Sequence, residues 1–201
     1  MNPYCQKLKE RGGWWEDVLV PNCEFPIAPR NTWSNLAYIL AGIVVYLLEP
    51  TATSFTMGLA FVFLGVTSGL YHGTKRGWAA KLDHAGMYAA FIALLISRTY
   101  TGPIPVPAFM LLTTVLVMFL MRNDQSTVSL YSAMGIAVFF GELAAYLQDG
   151  YMTVMISMSL FVAAYSIWWM DKLRVFAPAK WGHAFWHILT AAAMTILYLG
   201  V

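Results

Sequence analysis

The chain has 201 residues, 59% of them hydrophobic and 11% charged, with a formal net charge of +2 and a mean hydropathy of +0.61. Soluble domains carry about 25% charged residues, so this composition cannot dress a folded surface for water and points to a polytopic membrane protein. The small net charge and scattered basic residues exclude a nucleic-acid-binding surface, and no nucleic-acid partner is expected.

Residues 1–32 form a polar leader. It is polar, aromatic and charged without an apolar core, so no cleavable signal peptide is expected. Both cysteines, Cys5 and Cys23, lie in it. A cytoplasmic leader would keep them as thiols, and an external one would allow a disulfide.

Residues 33–201 read as seven apolar spans: Trp33 to Leu48, Phe55 to His72, Leu82 to Ser97, Pro105 to Met121, Val128 to Leu147, Tyr151 to Met170, and His183 to Val201. Breakers separate them at Glu49-Pro50, Gly73 with Lys75-Arg76-Gly77, Gly102-Pro103, Asn123-Asp124, Asp149-Gly150 and Pro178. Most spans sit at the short end of the roughly 17 to 25 residues a bilayer helix needs. None alternates with the period of two of a barrel strand, so the expected fold is all-α, a seven-transmembrane helix bundle.

Loop charges set the orientation. With seven spans, eleven of the twelve Lys and Arg residues fall on the side of the N-terminus, and Arg98 alone falls opposite. This asymmetry predicts a cytoplasmic N-terminus; a plasma or inner membrane is expected, with an organelle membrane as the alternative. Trp33, Trp78, Trp168, Trp169, Trp181 and Trp186 cluster towards the same face as an aromatic belt. Glu142 falls near the outer end of span five, where an ionisable group is functional, paired or reaching the interface.

On this topology His72, ending span two, and His183 and His187, opening span seven, reach one leaflet. So do Ser68, one turn before His72, and Asp83 at the start of span three. His183 and His187 are four apart and leave the same helix face, a spacing at which two side chains grip one metal ion. Three imidazoles suit zinc and leave a fourth position for water, whose pKa zinc lowers to roughly 7. Asp83 is then the natural general base and Ser68 a hydrogen-bond donor to the water or the developing oxyanion. Interfacial histidines also serve as amphipathic anchors, and Asp83 with Lys81 also suits a helix cap.

Ser68-x-x-x-His72, then Asp83, then His183-x-x-x-His187 resembles the pattern of the alkaline ceramidases. Their wider superfamily includes the progestin and adipoQ receptors, the hemolysin III proteins and the lipid-remodelling hydrolases of GPI anchors. Asn31-Thr32-Trp33-Ser34-Asn35 and His183-Ala184-Phe185-Trp186-His187-Ile188-Leu189-Thr190 look closest to the ceramidases, while Leu82-Asp83-His84 echoes the hemolysin III branch. The resemblance implies a zinc ion on His72, His183 and His187, with Asp83 and Ser68 catalytic. It implies hydrolysis of a lipid amide drawn from the bilayer, ceramide first, to a long-chain base and a fatty acid.

Two departures stand beside it. The ceramidases of eukaryotes carry an acidic calcium-binding stretch where this chain has Cys23-Glu24-Phe25-Pro26-Ile27-Ala28-Pro29-Arg30, which offers one carboxylate and an arginine. A hard cation wants several oxygens, so calcium is not expected here. The resemblance also implies a non-cytoplasmic N-terminus, against the charge count. A different class stays open: a receptor-like or regulatory protein with structural zinc, closed by a fourth ligand such as His84, or a hydrolase of another lipid amide or ester.

Overall fold

In a bilayer a backbone amide finds no water to bond, so an apolar run of this length must satisfy its own hydrogen bonds as helix. The computed structural model describes residues 24–99, 108, 152–172 and 181–200. Among the described residues every regular element is helical: α1 Pro29–Ser34, α2 Leu36–Leu48, α3 Ala52–Thr74, α4 Gly77–Thr99, α5 Met152–Lys172 and α6 Gly182–Leu199. Five stretches are long and apolar enough to cross a membrane, namely Pro29–Leu48, Ala52–Thr74, Gly77–Ser97, Met152–Asp171 and Gly182–Leu199. They match the first, second, third, sixth and seventh expected spans. The fourth and fifth, Ala108 apart, lie outside the described residues, as do Cys5, Cys23 and Glu142.

Local chemistry fixes the ends. Pro29 opens α1, where its preset φ suits a first helical position. Asn35 keeps a right-handed helical backbone, so α1 runs into α2. The first helical stretch therefore begins at Pro29, four residues before the apolar run. Thr51 and Ser54 form a capping box that starts α3 ahead of its apolar residues. Lys75 ends α3 in the left-handed conformation, φ 52°, with its N–H on the Tyr71 carbonyl at 2.6 Å. Gly200 ends α6 with φ +70°, its N–H on the Ile196 carbonyl.

Helices in lipid gain little from apolar burial against one another and associate by close van der Waals packing. Gly42 of α2 and Gly58 of α3 let two backbones touch: a Cβ at either would collide with the other's carbonyl oxygen. Around this crossing Val45, Met57, Phe61, Leu64, Leu94, Met194 and Leu197 form the core. α3 packs between α2 and α4, α5 packs on α6, and α6 meets α1, α2 and α4. The α3 and α6 backbones nowhere approach within 8 Å, Cα to Cα, so those two helices meet through side chains alone.

The segment before α1 secures the end of α3. Ile27 N–H donates to the Gly73 carbonyl at 2.9 Å and Ala28 N–H to the His72 carbonyl at 3.1 Å. These are last-turn carbonyls that the helix itself leaves without partners. Phe25 packs on Gly73 so closely that a Cβ there would enter its ring.

Candidate metal centre

His72 occupies the last turn of α3, and His183 and His187 the first two turns of α6. The ring centroids lie 4.7 Å apart for His72 and His183, 5.1 Å for His72 and His187, and 4.8 Å for His183 and His187. One nitrogen from each ring falls within 4.8 Å of the others. Small side-chain rotations close such a set onto one ion bound at about 2.0–2.1 Å per nitrogen. Three histidines can therefore hold a metal ion, as their spacing predicts. Among the described residues no carboxylate, cysteine or fourth histidine joins the cluster. His84, the expected closing ligand of a structural site, stands beside Asp83 instead.

Asp83 lies in the second turn of α4 and is buried. Its ionisable neighbours are His72, His84 and Lys75, and the Ser68 hydroxyl lies within hydrogen-bonding range of its carboxyl. Ser68 is itself buried, one turn before His72 on α3. The Oδ1 atom of Asp83 is buried with no hydrogen-bond partner among the described residues. Leaving a buried acceptor without a donor costs about 1–3 kcal/mol. All five residues singled out in the sequence thus come together at one end of the bundle.

The structure adds residues the spacing argument passed over. Ser34 Oγ, from α1, lies 2.7 Å from His187 Nδ1 and 3.1 Å from the Asn31 carbonyl. The His187 ring also lies in hydrogen-bonding range of that carbonyl. The Tyr38 ring lies tilted against His187, centroids 6.0 Å apart, and its hydroxyl pairs with that of Thr190, one turn on. Lys75 curls back from its left-handed backbone to place Nζ 3.0 Å from His72 Nδ1 and 4.8 Å from the Tyr71 ring centre. Burial pulls the Lys75 ammonium down to about 7, against the opposing pull of the Asp83 charge. Ser34 and Asn31 carried a signal, since both fall in the Asn31 to Asn35 motif. Lys75 carried none beyond its charge.

No protein-family model matches the chain, and no curated protein matches it. The chemistry of this centre rests on its own residues and their geometry.

Proposed function

We propose that this chain is a seven-helix membrane hydrolase that binds zinc at His72, His183 and His187 and cleaves a lipid amide, with ceramide as the first substrate. The observation that carries the reading is a three-imidazole cluster with no fourth protein ligand among the described residues, beside a buried carboxyl whose Oδ1 lacks a donor. Catalytic zinc sites keep three protein ligands and an open position, whereas structural ones are closed by four. The motif resemblance to the alkaline ceramidases supports the substrate class, and the charge asymmetry supports a cytoplasmic N-terminus.

Zinc bound there supplies Lewis acidity and a water acidified to near neutrality. Asp83 takes the proton of the attacking water through its unpartnered oxygen and passes it to the leaving amine. The water oxygen bonds to the carbonyl carbon, the C–N bond breaks, and fatty acid and long-chain base depart. Ser68, in hydrogen-bonding range of the Asp83 carboxyl, turns its proton to the oxygen that gains negative charge as Asp83 becomes protonated. A site at one end of a membrane bundle suits a scissile bond near head-group depth, with the acyl chains entering sideways from lipid.

The test is fatty-acid release from ceramide in liposomes, for wild type beside Asp83→Asn, with zinc measured on the same samples. Asp83→Asn keeps the shape and the zinc and loses on the order of 10²- to 10⁴-fold in rate. Ser68→Ala retains zinc with a loss of about 10²-fold or more. Wild-type turnover in zinc-replete Asp83→Asn would sink the mechanism. Absence of wild-type turnover on every lipid amide and ester would favour the receptor reading.

A further inference from the structure

A histidine can give a nitrogen lone pair to a metal only if its proton sits on the other nitrogen, and what decides the tautomer is the partner of that other nitrogen. For His187 the partner is Ser34. A serine hydroxyl has one proton and two lone pairs. The Asn31 carbonyl, 3.1 Å from Ser34 Oγ, can only accept, so the hydroxyl proton goes there. With the proton turned to that carbonyl, the Ser34 lone pair faces His187 Nδ1 at 2.7 Å, and an Nδ1–H is the form that completes the pair. Asn35 Nδ2 donates to the same carbonyl at 2.6 Å and holds it in place.

We infer that Ser34 is a positioning residue that fixes His187 as the Nδ1–H tautomer and so leaves the Nε2 lone pair for the ion. This role rests on the three-histidine metal reading and is independent of which lipid, if any, is hydrolysed. It gives Asn31 to Asn35 a purpose in the centre: a short helix, α1, whose last turn sets the ring of a ligand on α6. Carboxylates and backbone carbonyls are the usual partners of ligating histidines. Here a serine relays a backbone carbonyl to the ring.

The test compares Ser34→Thr with Ser34→Val in the full chain in detergent. Thr and Val have the same shape, and only Thr keeps the hydroxyl, so any difference between them reads the hydrogen bond. Zinc affinity, from competition with a chelator, should be near wild type for Ser34→Thr and roughly 10- to 100-fold weaker for Ser34→Val. Nitrogen-15 shifts of the His187 ring in zinc-free protein supply a second readout that packing alone does not move. Wild type and Ser34→Thr should show Nδ1–H, and Ser34→Val a mixture of tautomers. Equal zinc affinity in Thr and Val variants, or an Nε2–H ring in wild type, overturns the role of Ser34 alone. A wild-type protein that binds no zinc overturns the metal centre with it. A zinc-binding protein that hydrolyses no lipid leaves this inference intact and removes only the proposed reaction.

Discussion

The rings of His72 and His187 lie 5.1 Å apart, centroid to centroid, yet their Nδ1 atoms meet partners of different kinds. His187 Nδ1 faces the Ser34 hydroxyl oxygen at 2.7 Å, while His72 Nδ1 faces the Lys75 amine nitrogen at 3.0 Å. Ser34 therefore readies one ligand for a cation, and Lys75 sets a basic nitrogen, cationic when protonated, against the other.

Lys75 should oppose metal binding. A positive charge 3.0 Å from one ligand's ring repels a divalent ion on the others and must swing away or give up its proton as the ion enters. Lys75→Met removes the charge and keeps the stem, and zinc should bind roughly 3- to 30-fold more tightly, since a repulsion of about 1–2 kcal/mol is relieved. Chelator competition on the two purified proteins checks this. Weaker zinc binding by Lys75→Met would make Lys75 a support of the centre.

Removing a ligand should remove the metal. Two imidazoles hold zinc poorly, so His183→Ala and His187→Ala should each lose most of the zinc that wild type carries at about one per chain. Elemental analysis of both variants decides it, and undiminished zinc in both would take α6 out of the centre.

The α2–α3 crossing should be intolerant of side chains. A Cβ at Gly58 meets the Gly42 carbonyl oxygen, whereas a Cβ at Gly77 meets nothing within 4 Å. Gly58→Leu should destabilise the protein by about 1–3 kcal/mol through forced separation of the helices. Gly77→Ala should be neutral. Thermal unfolding in detergent compares them, and equal midpoints would show the crossing to be compliant.

Orientation is read at Arg76, an exposed residue of the two-residue link between α3 and α4. With Cys5 and Cys23 replaced by serine, Arg76→Cys should resist an impermeant thiol reagent in intact cells and react after permeabilisation. Ready labelling from outside would reverse the topology that the loop charges imply.

The pair His183 and His187 was legible because helical spacing is a local rule: four residues put two rings on one face wherever the helix lies. His72, Asp83 and Ser68 were legible one step further, because span counting sent each to the same end. Ser34 was not, since its partner His187 is 153 residues away and no local pattern pairs them. Lys75 was counted as an orientation charge, because nothing short of the folded chain shows a non-glycine residue turning left-handed and folding its side chain back on His72. Helix ends were missed for a related reason. α4 begins at Gly77 although the apolar run begins at Leu82, because hydropathy marks entry into lipid, and the helix carries Trp78 and Lys81 before that point.

His72 and His183 stand about 110 residues apart in the chain, on two helices whose backbones do not touch. An ion gripping both would close a loop of that length. For a covalent cross-link in a flexible chain the lost entropy of the unfolded state is worth about 4–5 kcal/mol, and less for helices already threaded through a bilayer. The metal would then bond α3 directly to α6 in a bundle where those two helices are otherwise tied through α1, α2 and α4. Stripping it should loosen the order in which the bundle assembles as well as silence its chemistry, so that chelation is felt as a lower unfolding temperature even in a variant that never turns over substrate.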